Sequence, residues 1–544
     1  MASPYINPKT NKIKLEVKLM NLTLTPIRFK DRAEKLFANK VGIVDGDTRL
    51  TYREFGERAD RLSNALAELG VKRGERVAWL GYNSHELLEA YYGVVQMGAV
   101  LLPLNIRLTP EEIAFILNDS ESVALFYNQD FLPLVEGLRA HTPTVKHFIP
   151  LEAGSSETHY ETLLSAAGAD FTPPADIRDD DLAELFYTSG TTANPKGVMM
   201  THRNLYLHAI QAMAGLSIKD TGVQLHTIPL FHVNGWGTPH TITCMGARHV
   251  VVRKFDPTEV LELIQRERVT HFSMVPTMAI ALINHPQLGH YDLSSLEFVG
   301  LGGAASAPEL IRDVEQKLGC RAYGGYGLTE TTPVLTFSFI KDHLKDLPDE
   351  ERWRRQAMAG YPLPGIELDI FDPDDKPVPH DGSSVGEVVV RADSVMAGYW
   401  KQPEDTANVM RGGWFHTGDM AVVDEEGYFL IVDRKKDIII SGGENISSIE
   451  VEKAIYSHPA VLECAVIPVP DDRWGEVPKA LVVLKPGQSL TEQELIDHCR
   501  TKLPGFKVPK SVEFFDSLPK GGTGKILKKD LRERYWQGYE KRVH

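Results

Sequence analysis

The chain has 544 residues, is 42% hydrophobic and 24% charged, and carries a formal net charge of −15. That length exceeds what one core usually absorbs, so two or more domains are expected, and the acidic balance argues against a broad nucleic-acid footprint. The four cysteines, Cys244, Cys320, Cys464 and Cys499, include no CxxC pair and fit reduced thiols of a cytoplasmic protein better than a disulfide or zinc framework.

The N-terminal stretch has no signal-type apolar core, and the most apolar run, YYGVVQMGAVLLPLN, is interrupted by Gln96, Gly98 and Pro103. No transmembrane segment is expected, which leaves peripheral membrane contact and a homodimer open. Thr51 and Glu54 read as a capping box opening a helix whose apolar stripe is Phe55, Ala59, Leu62, Leu66 and Leu69, with Gly70 as its stop. A short buried strand RVAWLGYN follows, then a helix over His85–Met97 and a strand AVLLPLN.

This alternation continues to about residue 330, the pattern of a largely parallel, helix-covered sheet. From about Gly360 the segments GIELDIFD, GEVVVRA and GYFLIVDR suggest a small β-rich unit, about 360–432. Beyond DRKKD a helix near Ser448–Ser457, strands ECAVIPVP and KALVVLK and a second capping box at Thr491 suggest a compact α+β lid of about a hundred residues. The expected division is 1–435 and 436–544, an α/β fold with a small α+β C-terminal domain. The charge run Lys341–Gln356 reads as a solvated helix.

Two Gly-rich loops end in lysine. YTSGTTANPKG fails the Walker pattern because Lys196 follows a proline, and KGGTGKIL fails it because Ile526 stands where Ser or Thr is required. Hydroxyls, open backbone amides and a lysine nonetheless suit a phosphate, although a polar surface turn explains the same composition.

The run YTSGTTANPKG resembles the signature loop of the adenylate-forming superfamily, which includes the acyl-CoA synthetases. PLFHVNGW, GGAA, YGGYGLTET, WFHTGD, DRKKDIIISGGENIS and PKGGTGKILKKDLR resemble further motifs of that family, in the same order, and the one departure is Ala193 where glycine is usual.

The resemblance implies a two-step reaction. A carboxylate attacks the α-phosphate of ATP to give an acyl-adenylate, and coenzyme A then displaces AMP. Thr188, Ser189, Gly190, Thr191, Thr192 and Lys196 are implied to hold the departing phosphates, and Glu330 to bind Mg2+ beside Thr329. Asp419 is implied to hold the ribose hydroxyls with Arg434, and Tyr326 with Gly324, Gly325 and the turn Gly302, Gly303, Ala304 to hold adenine. Lys525 is implied to serve adenylation and Lys436 to be the domain hinge, with Gly442, Gly443 and Glu444 on the CoA side.

His232 and Trp236 would border the acyl channel, with Trp236 a candidate gate; separately, each reads equally as a core aromatic. The small residues around them suit a medium- to long-chain fatty acid. Aromatic or short substituted acids are the alternative on the same fold, and a non-catalytic nucleotide-binding protein the alternative of another class.

Overall fold

The computed structural model describes residues 22–154, 158–188, 194–442, 444–471, 473–520 and 526–536. Two large sheets build the first part of the chain. The seven-stranded sheet runs, from edge to edge, Gly398–Tyr399, Lys196–Thr201, Leu182–Thr188, Val100–Pro103, Arg76–Leu80, Ser122–Tyr127 and His147–Pro150. Its last five strands are parallel and the first two antiparallel. In the nine-stranded sheet the central strands, among them His271–Met274, Phe298–Leu301 and Arg321–Gly327, are parallel, and both edges are antiparallel.

The strand Arg76–Leu80 shows why such strands read as unbroken apolar runs. Val77 and Trp79 face one core while Ala78 and Leu80 face another, so both faces are buried. Helices Tyr52–Glu68 and His85–Gln96 lie within the larger core, which takes residues from both sheets. The capping box at Thr51 forms as expected, and Phe55, Ala59, Leu62 and Leu66 are buried. Gly70 follows the helix at φ +83°, a left-handed position that a side chain would strain.

A third, antiparallel sheet pairs Glu367–Phe371, Gly386–Arg391, Trp414–Val423 and Phe429–Arg434, matching the β-rich texture of the sequence. Between Arg434 and Ile439 the chain passes to the last sheet, in which Val461–Asp471 and Gly475–Leu484 form a long hairpin. Ser511–Phe514 adds to that hairpin in parallel, and Ile439, Val451, Ile455, Val466 and Leu495 give the unit its own core. The result is a large α/β domain with a small α+β domain after it. Among the described residues no helix is long and apolar enough to cross a membrane.

The charge run departs from expectation. Only Asp349–Gln356 is α-helical, after a short 3-10 turn at Asp342–Leu344, because Pro348 starts the helix and cannot lie inside it. Nor is it solvated all round. Gln356 is buried and donates to Glu315 Oε1 at 2.7 Å, and Trp353 Nε1 donates to Glu315 Oε2 at 3.0 Å.

Candidate functional site

The parallel neighbours Phe298–Leu301 and Arg321–Gly327 end side by side, with Leu301 opposite Gly324. Their continuations bring the turn Gly302–Ala304 beside Gly325; a Cβ on Gly302 would stand 3.5 Å from the Gly325 carbonyl. Sequence reasoning assigned all these glycines to a flat ring, and the structure gives a different reason for two of them. A Cβ on Gly324 would lie 2.3 Å from the Met358 carbonyl, and one on Gly302 2.9 Å from the indole of Trp236. The backbone and Trp236 already occupy that space.

Tyr326 Oη donates to Asp419 Oδ2 at 2.8 Å, and Arg434 Nε lies 3.3 Å from Asp419 Oδ1. Burial, reinforced by the Asp419 charge, raises the Tyr326 phenol well above its ordinary pKa, so it stays a donor. The strand Trp414–Val423 runs on through Asp419, with a bulge at Thr417–Asp419. Gly418 takes φ +72° there and donates its amide to Glu387 Oε1 at 3.2 Å. The bulge re-aims Asp419 toward Tyr326, and Arg434, its register partner on the next strand, completes the trio.

Thr329 and Glu330 lie in the short 3-10 turn Thr329–Thr331, and Thr329 is buried. Tyr399 Oη donates to Glu330 Oε1 at 2.9 Å, and the Met396 amide donates to the Glu330 carbonyl at 2.8 Å. Desolvation raises the Glu330 carboxyl above the usual carboxylate range, opposed by the Tyr399 hydrogen bond. A hard cation beside this buried carboxylate would stabilise its charge, as the Tyr399 hydrogen bond does. This donor fits Mg2+.

Thr188 and Lys196 face each other across the antiparallel strands that carry them, so the loop between springs from a hairpin. Its expected phosphate donors Ser189, Gly190, Thr191 and Thr192 lie outside the described residues, as do Gly443 and Lys525. Lys196 Nζ pairs with Asp405 Oδ2 at 2.6 Å and lies 5.1 Å from the centre of the Tyr399 ring.

His232 precedes a left-handed stretch in which Val233, Asn234, Gly235, Trp236 and Gly237 all have positive φ. For the non-glycine residues this costs on the order of 1–3 kcal/mol each and persists only where the surroundings impose it. Fully buried Glu184 imposes it here. Asn234 Nδ2 donates to its Oε2 at 2.9 Å, and His240 Nε2 lies 2.7 Å from its Oε1. The stretch delivers the Trp236 indole onto the Gly302–Gly303 turn.

Lys436 sits between two anchored neighbours. Lys435 donates its amide to the Gly418 carbonyl at 2.9 Å and its Nζ to Glu387 Oε2 at 3.0 Å. Asp437 is ion-paired with Arg532 of the C-terminal helix Lys528–Glu533, and Arg532 Nη1 also donates to the Lys436 carbonyl at 2.9 Å. Gly442, at φ +60°, donates its amide to the Trp474 carbonyl at 2.8 Å, and Glu444 begins the strand Glu444–Ile446.

Sequence reasoning missed Glu184, Glu387, Tyr399 and Asp405. Each acts on a partner far away in the chain, as Asp405 does on Lys196 at a separation of 209 residues, and no local pattern marks such a pair. One more cluster, Asp45, His85 and Glu86, has metal-ligand composition. Burial alone would lower His85, but the Asp45 hydrogen bond and the Glu86 and Glu89 charges overcome it and push the imidazole up to about 9. His85 Nδ1 lies 2.8 Å from Asp45 Oδ2 and 3.4 Å from Glu86 Oε2, the geometry of an imidazolium paired with two carboxylates.

A large α/β domain whose strand ends gather the Asp419 carboxylate, the Thr329–Glu330 turn and Lys196 on a hairpin, followed by a small α+β domain, is the architecture of an adenylate-forming enzyme. The AMP-binding enzyme family matches residues 29–400, and the AMP-binding enzyme C-terminal domain matches 450–525. The chain belongs to that family, and its activity is ATP-dependent ligation of an acid to coenzyme A through an adenylate.

It is 39% identical to a long-chain-fatty-acid–CoA ligase of Thermus thermophilus, over 94% of this chain and 95% of the relative. It is 37% identical to 4-hydroxybutyrate–CoA ligase 2 of Metallosphaera sedula, over 94% of each. Among solved structures it resembles the anthranilate CoA ligase AuaEII in complex with anthranoyl-AMP, with a TM-score of 0.85, 29% identity and coverage of 95% of this chain and 98% of that one.

Proposed function

We propose that the protein activates a medium- to long-chain fatty acid. The acid carboxylate attacks the α-phosphorus of ATP, the bond between the α- and β-phosphates breaks, and pyrophosphate leaves. The CoA sulfur then attacks the acyl carbon, and AMP departs with the bonding electron pair. Lys525 neutralises charge as the carboxylate meets the α-phosphate, and Thr329 donates to that phosphate. Thr188, Ser189, Gly190, Thr191, Thr192 and Lys196 hold the leaving phosphates. Asp419 and Arg434 hold the ribose, and Tyr326 with the Gly302–Ala304 turn holds the adenine. Glu330 is the residue that would hold Mg2+, which supplies charge neutralisation between phosphates.

The observation that carries the acyl assignment is the contact between Trp236 and the turn Gly302–Gly303. One indole lies between the PLFHVNGW segment and the adenine side of the site, where withdrawal of a single side chain would admit a long apolar tail. The Thermus thermophilus relative, whose name specifies long-chain fatty acids, supports the same reading. The second reading, an aromatic or short substituted acid, is favoured by the likeness to the anthranilate and 4-hydroxybutyrate ligases.

The test measures acid-dependent ATP–pyrophosphate exchange and acyl-CoA formation across butyrate, octanoate, palmitate, benzoate and ferulate. The fatty reading expects kcat/KM to peak at octanoate or palmitate. A peak at benzoate or ferulate would replace it with the aromatic reading, and a peak at butyrate with the short-acid one. Lys525→Ala is expected to lower exchange by roughly 10²–10³-fold while ATP still binds.

A further inference from the structure

We propose that Asp405 is a built-in competitor of pyrophosphate for Lys196, and that it sets how readily that product leaves. The inference rests on the reading above that Lys196 meets the departing phosphates. Asp405 lies in the first turn of the short helix Pro403–Val409, on a segment whose only covalent route to Lys196 is long. The strand Gly398–Tyr399 docks this segment on the lysine strand, with Gly398 opposite Met199 and Tyr399 opposite Val198. The Trp400 amide adds a hydrogen bond to the Gly197 carbonyl at 2.7 Å. Thr406 Oγ1 accepts the Tyr399 amide at 2.9 Å, which fixes the helix against that strand.

Within this frame the lysine side chain is 14% exposed, while its carboxylate partner is 40% exposed and can turn into solvent. Lys196 and Glu330 also share one side chain, Tyr399, whose ring lies under the ammonium and whose hydroxyl donates to the carboxylate. The ammonium therefore waits beside the turn that carries Glu330, already neutralised by an anion that is neither substrate nor product. An arriving triphosphate must displace Asp405, and a departing pyrophosphate is replaced by it. No bond is made or broken in this exchange, and one anionic partner of Lys196 substitutes for another.

Among the described residues Asp405 is the anion paired with Lys196, so removing its charge should let the lysine bind phosphate more tightly. Titration calorimetry of the full chain with magnesium pyrophosphate reads this directly, without reference to the acid substrate. Asp405→Asn is expected to tighten pyrophosphate roughly two- to fivefold, the range of one partly exposed ion pair, and to strengthen product inhibition of adenylation equally. Asp405→Ser serves as a second variant should the first not fold. In a Lys196→Ala background Asp405→Asn should change pyrophosphate affinity less than twofold. Unchanged or weakened pyrophosphate binding in Asp405→Asn, with Lys196→Ala also weakened, would overturn the competitor and leave the phosphate role of Lys196 standing. Unchanged binding in Lys196→Ala would overturn that role itself, and the competitor with it.

Discussion

Tyr326 reaches from the strand Arg321–Gly327 of the nine-stranded sheet to Asp419 on a bulge of the antiparallel sheet, and their side chains meet at 2.8 Å. The Asp419 carboxylate, proposed above to hold the ribose, is thus already fixed by Tyr326, with Arg434 behind it. Preorganisation of this kind limits the ordering cost of binding. Tyr326→Phe keeps the ring and removes only the hydrogen bond, so ATP affinity should fall by about 0.5–1.5 kcal/mol, or roughly two- to tenfold. Asp419→Ala removes the shared acceptor and should cost more. Titration calorimetry with ATP ranks the two variants, and equal losses would mean that the phenol, not the carboxylate, governs nucleotide binding.

The left-handed stretch before Pro239 makes a separate prediction about the acyl channel. Trp236→Ala removes the indole from the Gly302–Gly303 turn and should shift the chain-length profile more than the KM for ATP. Glu184→Leu leaves Asn234 and His240 without their buried partner, a cost of about 3–5 kcal/mol when a buried pair is broken. The lower melting temperature of Glu184→Leu should be accompanied by the same profile change as Trp236→Ala. A loss of stability with an unaltered profile would show that Glu184 holds the core and does not aim Trp236.

Helix starts and buried strands were readable because their causes are local. Thr51 and Glu54 satisfy each other three residues apart, and the alternation of Val77, Ala78, Trp79 and Leu80 fills two cores from one short run. The motifs likewise placed Tyr326, Glu330, Asp419 and Arg434 in one neighbourhood. What stayed hidden depends on pairing across the fold. The bulge at Gly418 exists because the strand must pass Glu387, and that register is set by a strand thirty residues earlier. The left-handed stretch at 233–237 contradicts the local preferences of Val233 and Trp236, and Glu184 on the other sheet, bonded to Asn234, helps hold it.

His85 gives the protein a pH dependence of definite sign. Its imidazole is raised to about 9 in the fold, against about 6.5 for an unperturbed histidine. The folded state therefore binds the proton more tightly than the unfolded chain. The resulting stability is fully present below pH about 6.5 and is lost as the pH rises through about 9. Asp45→Asn removes the hydrogen-bonded anion and should flatten this loss. Chemical denaturation at pH 6 and pH 9.5 compares the two proteins, and an equal pH dependence in both would exclude His85 as its source.

The chain between Arg434 and Ile439 is tied down on both sides of one residue. Lys435 is fixed to the first part of the chain through Gly418 and Glu387, and Asp437 to the C-terminal helix through Arg532. A rotation at Lys436 would keep the ties of Lys435 and the Asp437–Arg532 pair and give up only the Asp437 and Ile438 amide hydrogen bonds to the Arg434 carbonyl, and hinges concentrate such change in a few residues. Two nucleophiles act in turn, the acid carboxylate on the α-phosphorus and then the thiol on the acyl carbon, and in the function proposed above Lys525 serves only the first step. Proline fixes φ near −65° and restricts the residue before it, so Lys436→Pro should freeze one arrangement, while Lys436→Ala leaves φ free. Lys436→Pro is therefore expected to retain acyl-adenylate formation and lose thioester formation, with Lys436→Ala close to the parent in both. Pyrophosphate release and acyl-CoA production, followed separately, decide the matter. Parallel loss of both products with a lowered melting temperature would indicate misfolding, and loss of the Asp437–Arg532 tie in Arg532→Met would then provide the independent check. That variant frees the C-terminal helix without touching φ at Lys436, and it should change the ratio of the two half-reactions without abolishing either. Normal thioester formation in a folded Lys436→Pro protein would place the pivot outside this linker.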